Sequence, residues 1–71
     1  MPKKLSKAKQ KADLEFLHMQ GVNGTGIRRK NGEYVIVVYV SSMNEGLRQA
    51  IPAELDGIKI HIEEIGEVRV L

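Results

Sequence analysis

Apolar and polar positions change rhythm four times along this chain, and each rhythm predicts an element. Leu5, Ala8, Ala12, Phe16 and Met19 recur at intervals of three and four, with Leu17 beside them. That spacing puts one apolar stripe on a helix over roughly residues 5–19, with most of the lysines off the stripe. Gly21 then stops the helix, because glycine takes the left-handed conformation that closes a last turn. Val22 to Arg29 follows as a strand, with Gly24 and Gly26 on one face and Thr25 and Ile27 on the other. Two glycines on one face predict a shallow groove where another backbone or a helix can approach. Asn31-Gly32 lies between this segment and the next, a strong short signal for a hairpin.

The run Tyr34-Val35-Ile36-Val37-Val38-Tyr39-Val40 has no polar group except two phenol hydroxyls. Alternate side chains of a strand point to opposite faces, so both faces of this one are apolar and both want cover. Ser42 and Glu45 have capping-box spacing, which opens a second helix. Met43, Leu47 and Ala50 or Ile51 lie on one of its sides, and Pro52 ends it after about two turns by forcing the preceding residue out of helical space. Asp56-Gly57 reads as a turn. Ile58, Ile60 and Ile62 then alternate with Lys59, His61 and Glu63, the pattern of a half-buried strand. Gly66 marks a bend, and Val68 and Val70 suggest a short last strand.

The element order α-β-β-α-β-β predicts an α+β fold, a two-layer sandwich with a mostly antiparallel sheet of three to four strands and the helices on one face. The strands before and after the second helix can be parallel if they are neighbours. Residues 1–71 form a single domain, with residues 1–4 a flexible basic N-terminus. At 71 residues the chain is near the small end of what folds alone. Within the sheet, Ile36, Val38 and Val40 are expected in the core. Val35, Val37 and Tyr39 are then left for a protein interface, and the second cover comes from another chain, either a homodimer partner or a larger protein.

Composition refines this picture. Hydrophobic residues make up 42% of the chain, enough for a compact aliphatic core. The absence of cysteine rules out disulfides and thiolate chemistry, and points to a cytoplasmic setting. No apolar signal core follows the basic start and no apolar run is long enough to span a bilayer, so no membrane association is expected. The net charge of +2 is uneven. Lys3, Lys4, Lys7, Lys9 and Lys11 precede the first acid, Asp13, while the other six basic residues face all nine acids, leaving that remainder at −3.

Candidate chemistry is sparse. Gly21-Val22-Asn23-Gly24-Thr25-Gly26 has the glycines in the wrong order for a dinucleotide loop, and it follows a helix instead of a strand. His18 sits near a helix end, where a cation is favoured. His61 falls on the polar face of its strand, and two histidines fall short of the three or four ligands of a metal site. Glu63 and Glu64 are adjacent on a strand and point to opposite faces. The expectation is therefore a non-enzyme with no cofactor. A second reading is a small nucleic-acid-binding protein, in which Lys3, Lys4, Lys7, Lys9 and Lys11 together with Arg28, Arg29 and Lys30 contact phosphates.

One resemblance adds to this. Val22-Asn23-Gly24-Thr25-Gly26-Ile27, Lys30-Asn31-Gly32, Val37-Val38-Tyr39-Val40, Ile51-Pro52-Ala53-Glu54-Leu55-Asp56-Gly57 and Glu64-Ile65-Gly66-Glu67-Val68-Arg69 are spread over most of the chain. Together they resemble a small domain of bacterial proteins that precedes trypsin-like serine protease domains in some of them. The resemblance implies an accessory module, with regulation of a separate protease as a third reading, and it transfers no catalytic residue.

Overall fold

A computed structural model describes residues 3–66 of the chain. The elements are α1 (Lys3–Phe16), β1 (Val22–Lys30), β2 (Glu33–Val40), α2 (Glu45–Ala50), β3 (Glu54–Leu55) and β4 (Ile58–Glu64). They form a small α+β fold with one four-stranded sheet in the order β1-β2-β4-β3. β1 and β2 are antiparallel, β2 and β4 are parallel, and β3 and β4 are antiparallel. The pairing of β2 with β4 realises the parallel option that a helical connection leaves open.

The helical stripe forms α1 because Leu5, Ala8, Ala12 and Phe16 come round to the same side, and all four are buried. They pack on Ile36, Val38 and Val40 of β2 and Ile60 of β4, while Leu47 and Ile51 close the core from the α2 side. The small side chains of Ala8 and Ala12 in mid-stripe let the helix lie close to the sheet. Helix α1 begins at Lys3, so Lys3 and Lys4 are helical residues and not part of a loose arm. It ends at Phe16, earlier than the apolar stripe suggests. Met19 N–H donates to the Phe16 carbonyl at 3.0 Å in a tighter turn, and Gly21 at φ 95° carries the chain into β1. Met19 still packs against the core from that turn, but Leu17 is 46% exposed.

Both hairpins depend on residues that accept positive φ. Asn31 and Gly32 (φ 52° and 81°) join β1 to β2, and Asp56 and Gly57 (φ 51° and 83°) join β3 to β4. This is the twist-matched two-residue turn that Asn-Gly and Asp-Gly favour. The second turn therefore does more than reverse the chain. It pairs Leu55 with Ile58 and Glu54 with Lys59, giving the two-residue strand β3 that periodicity did not indicate. Two residues are too few to show an alternation.

Helix α2 starts later than the capping-box spacing predicts. Asn44 is its cap, with Oδ1 accepting from the Leu47 N–H at 2.9 Å. Ser42 does not cap because the chain before Asn44 is still tied to the sheet. Ser41 exchanges side-chain hydrogen bonds with Asn23 at 2.9 and 3.1 Å, and the Met43 N–H donates to the Glu64 carboxylate at 3.1 Å. The helix ends as expected before Pro52, with Ile51 extended at φ −98°, ψ 114°. Leu47 and Ile51 are buried and Ala50 is exposed, which settles the apolar side of α2. Gly66 has φ 73°, consistent with a bend, and the expected strand at Val68 and Val70 lies outside the described residues.

Candidate functional site: the helix-free face of the sheet

The core residues Ile36, Val38 and Val40 fix the orientation of β2. Its other set, Val35, Val37 and Tyr39, therefore points to the opposite face, which carries no helix among the described residues. Register adds the neighbours. Gly24, Gly26 and Arg28 of β1 stand opposite Tyr39, Val37 and Val35, while His61 and Glu63 of β4 stand beside Val37 and Tyr39. An apolar strip thus runs down the middle, with long polar side chains on either flank.

Val35 and Val37 are only 4% and 2% exposed, and Tyr39 is half-buried. A single chain therefore already covers much of the face expected to lie open. The cover comes from the flanking strands. Arg28 Nη2 lies 2.8 Å from Glu63 Oε2. Arg28 is level with Val35 and Glu63 with Tyr39, so the pair bridges β2 above Val37. Their aliphatic stems shield the strip, and the two side chains remain partly open to water. The Arg28 guanidinium also lies 5.9 Å from the centre of the Tyr39 ring, within cation–π range. Glu63 Oε2 is itself buried and meets no donor in hydrogen-bonding alignment, so its link to Arg28 is close-range charge attraction.

The glycine groove is reshaped in the same way. A Cβ on Gly26 would sit 3.2 Å from Tyr39 Cε2, so the tyrosine ring occupies the space that the glycine vacates. Gly24 has no atom within 4 Å of its Cβ position and stays open. A cavity of about 360 Å³ remains on this face, among Arg28, Lys30, Val35, Val37, His61 and Glu63. The cover was hard to see in the sequence. Arg28 and Glu63 are 35 positions apart, and only the strand order puts them on opposite flanks of β2.

The basic residues do not form one surface. Helix α1 lies on the core side of the sheet, whereas Arg28 and Lys30 share the helix-free side. Several cations are also paired: Lys9 with Asp13 at 2.9 Å, Lys11 with Asp56 at 3.3 Å, and Arg28 with Glu63. Arg29 lies 5.8 Å from the centre of the Tyr34 ring. Lys3, Lys4 and Lys7 are exposed on α1.

Asp13 joins α1 to β1. It accepts hydrogen bonds from Lys9 and from the Thr25 hydroxyl. Partial burial pushes its carboxyl up, but the Thr25 and Lys9 hydrogen bonds and the Lys9 charge outweigh this and hold it below the ordinary range. His18 is exposed in the turn after α1 and His61 is half-buried beside Val37. Among the described residues, no group of three or more His, Asp or Glu side chains is placed to hold a metal ion. No helix among them is long and apolar enough to cross a membrane.

Comparison with protein-family models, curated proteins and solved structures returned no match. The functional reading therefore rests on the geometry of this face.

Proposed function

We propose that the chain is a non-enzymatic protein-interaction module that pairs with a second copy of itself through the helix-free face of the sheet. The observation that carries this reading is the arrangement of charge about the apolar strip. Arg28 flanks Val35 on the β1 side, Glu63 flanks Tyr39 on the β4 side, and their charged ends meet across the strip between them. A two-fold axis running along β2 lays β1 of one copy over β4 of the other. Arg28 then faces the second copy's carboxylate at nearly the same height, and Glu63 faces its guanidinium. Such an isologous contact is self-complementary in charge as well as in shape. The Arg28 and Glu63 side chains are about half exposed, at 56% and 41%, so a second copy can reach both even though the Glu63 oxygen now facing Arg28 is buried. A cysteine-free composition supports a reducing, cytoplasmic setting for it.

Sedimentation over a concentration series, with two charge variants, tests the proposal. Arg28→Glu places acid over acid and Glu63→Arg places base over base, so each variant alone is expected to remain monomeric. Mixed, the two restore both pairings and are expected to form a heterodimer. An unsubstituted chain that stays monomeric at the highest concentration, or a mixture that fails to associate, would exclude this arrangement.

A further inference from the structure

The two edges of the sheet are unlike. The edge at β3 is two residues long, whereas the edge at β1 is nine. Exposed edges of that length are normally blunted, because their unpaired backbone groups accept another strand. Among the described residues no strand pairs with the outer side of β1. A bulge between Val22 and Gly24 interrupts only its first residues.

Hairpin geometry identifies the open backbone groups. Asn31 and Gly32 form a two-residue turn, so Lys30 and Glu33 close it as a hydrogen-bonded pair. Arg28 with Val35 and Gly26 with Val37 follow at steps of two. The intervening residues Thr25, Ile27 and Arg29 therefore turn their N–H and C=O groups outward. A strand laid on this edge would place its residues opposite Arg28 and Lys30 on the helix-free face. Those opposite Thr25 and Ile27 would lie on the helix side, where Ile27 packs against the core. The first set meets cations, and Lys30 has no ion pair among the described residues. In the second set, the residue opposite Ile27 meets an apolar side chain that packs against the core, and the residue opposite Thr25 lies beside the Thr25–Asp13 hydrogen bond.

We propose that β1 is a strand-addition site for an extended segment of another protein in which acidic and apolar residues alternate. The segment adds antiparallel through the backbone of Thr25, Ile27 and Arg29, and its acids pair across the strands with Arg28 and Lys30. The backbone groups of this edge are separate from the face proposed for self-pairing, but Arg28 is shared by both, so protection of the Thr25, Ile27 and Arg29 amides is the readout that belongs to strand addition alone.

Two terminally blocked peptides of one composition test it: glutamate alternating with valine, and the same residues as a glutamate block followed by a valine block. The alternating peptide is expected to bind at least about tenfold more tightly in fluorescence anisotropy, because only it satisfies both faces. On binding, the amides of Thr25, Ile27 and Arg29 are expected to exchange more slowly, while those of Gly26, Arg28 and Lys30 are already protected. Arg29→Pro removes one outward donor at an edge position that tolerates proline, and is expected to weaken binding by about tenfold beyond the effect of Arg29→Gln. Circular dichroism checks that the proline variant is folded. Equal binding of the two peptides would show charge attraction without strand addition and overturn the proposal. So would an absence of binding by the alternating peptide, since the cations would then only guard the edge.

Discussion

Asp13 straps α1 to β1 by accepting from the Thr25 hydroxyl, and Lys9, one turn earlier on the same helix, holds its carboxylate in place. Replacing it with asparagine is expected to cost about 1 kcal/mol, mostly through the hydrogen bonds, since a part-exposed ion pair contributes little. The sign of the pH dependence follows from its lowered carboxyl. Its contribution is complete above the ordinary carboxylate value of about 4 and is lost as pH falls through the lower folded value. Urea unfolding of Asp13→Asn should therefore show a flatter acid limb than the unsubstituted chain. Two glycines of β1 separate open space from filled space at the same scale. Gly24→Ala is expected to stabilise by about 0.5 kcal/mol, by restricting the unfolded chain where nothing obstructs a methyl group. Gly26→Ala must displace the Tyr39 ring and is expected to cost about 1 kcal/mol, so thermal melts of the pair should move in opposite directions.

At the scale of elements, α2 depends on its ends more than on its length. Six residues make a marginal helix, and its first free N–H groups rely on Asn44. Asn44→Ala is expected to lose about 1 kcal/mol in chemical unfolding, while Ser42→Ala changes little, because Ser42 is exposed and lies outside the cap. The period of α1, the alternation of β4 and both positive-φ turns were legible in sequence because each is a local constraint. Leu5, Ala8, Ala12 and Phe16 need only helical geometry to share a side. The true cap of α2 was not legible. Ser42 and Asn44 are comparable capping residues, and the choice was made by distant groups: Asn23 holding Ser41 and Glu64 holding Met43. Strand β3 escaped notice for a similar reason, since two residues acquire strand character only through their partners across Asp56-Gly57.

The whole molecule is organised around β2. It is hydrogen-bonded to β1 and β4 on its two sides and buried on both faces, with α1 over one and the Arg28–Glu63 bridge over the other. Amide exchange is accordingly expected to be slowest in the middle of β2, around Ile36 to Val38, and fastest in β3, where opening disturbs only one short pairing. Uniform exchange across the sheet would show that β2 is not its organising strand. The sequence by itself determined that Tyr34–Val40 needs cover twice, because seven nearly uninterrupted apolar residues leave a strand no polar face. It also determined that two helices and two tight turns punctuate the strands, although the end of α1 and the cap of α2 were set by the surrounding structure. Tertiary structure alone decided what covers the second face. Strand order brings Arg28 and Glu63 to opposite flanks of β2, and that juxtaposition depends on contacts between segments that no local rhythm encodes.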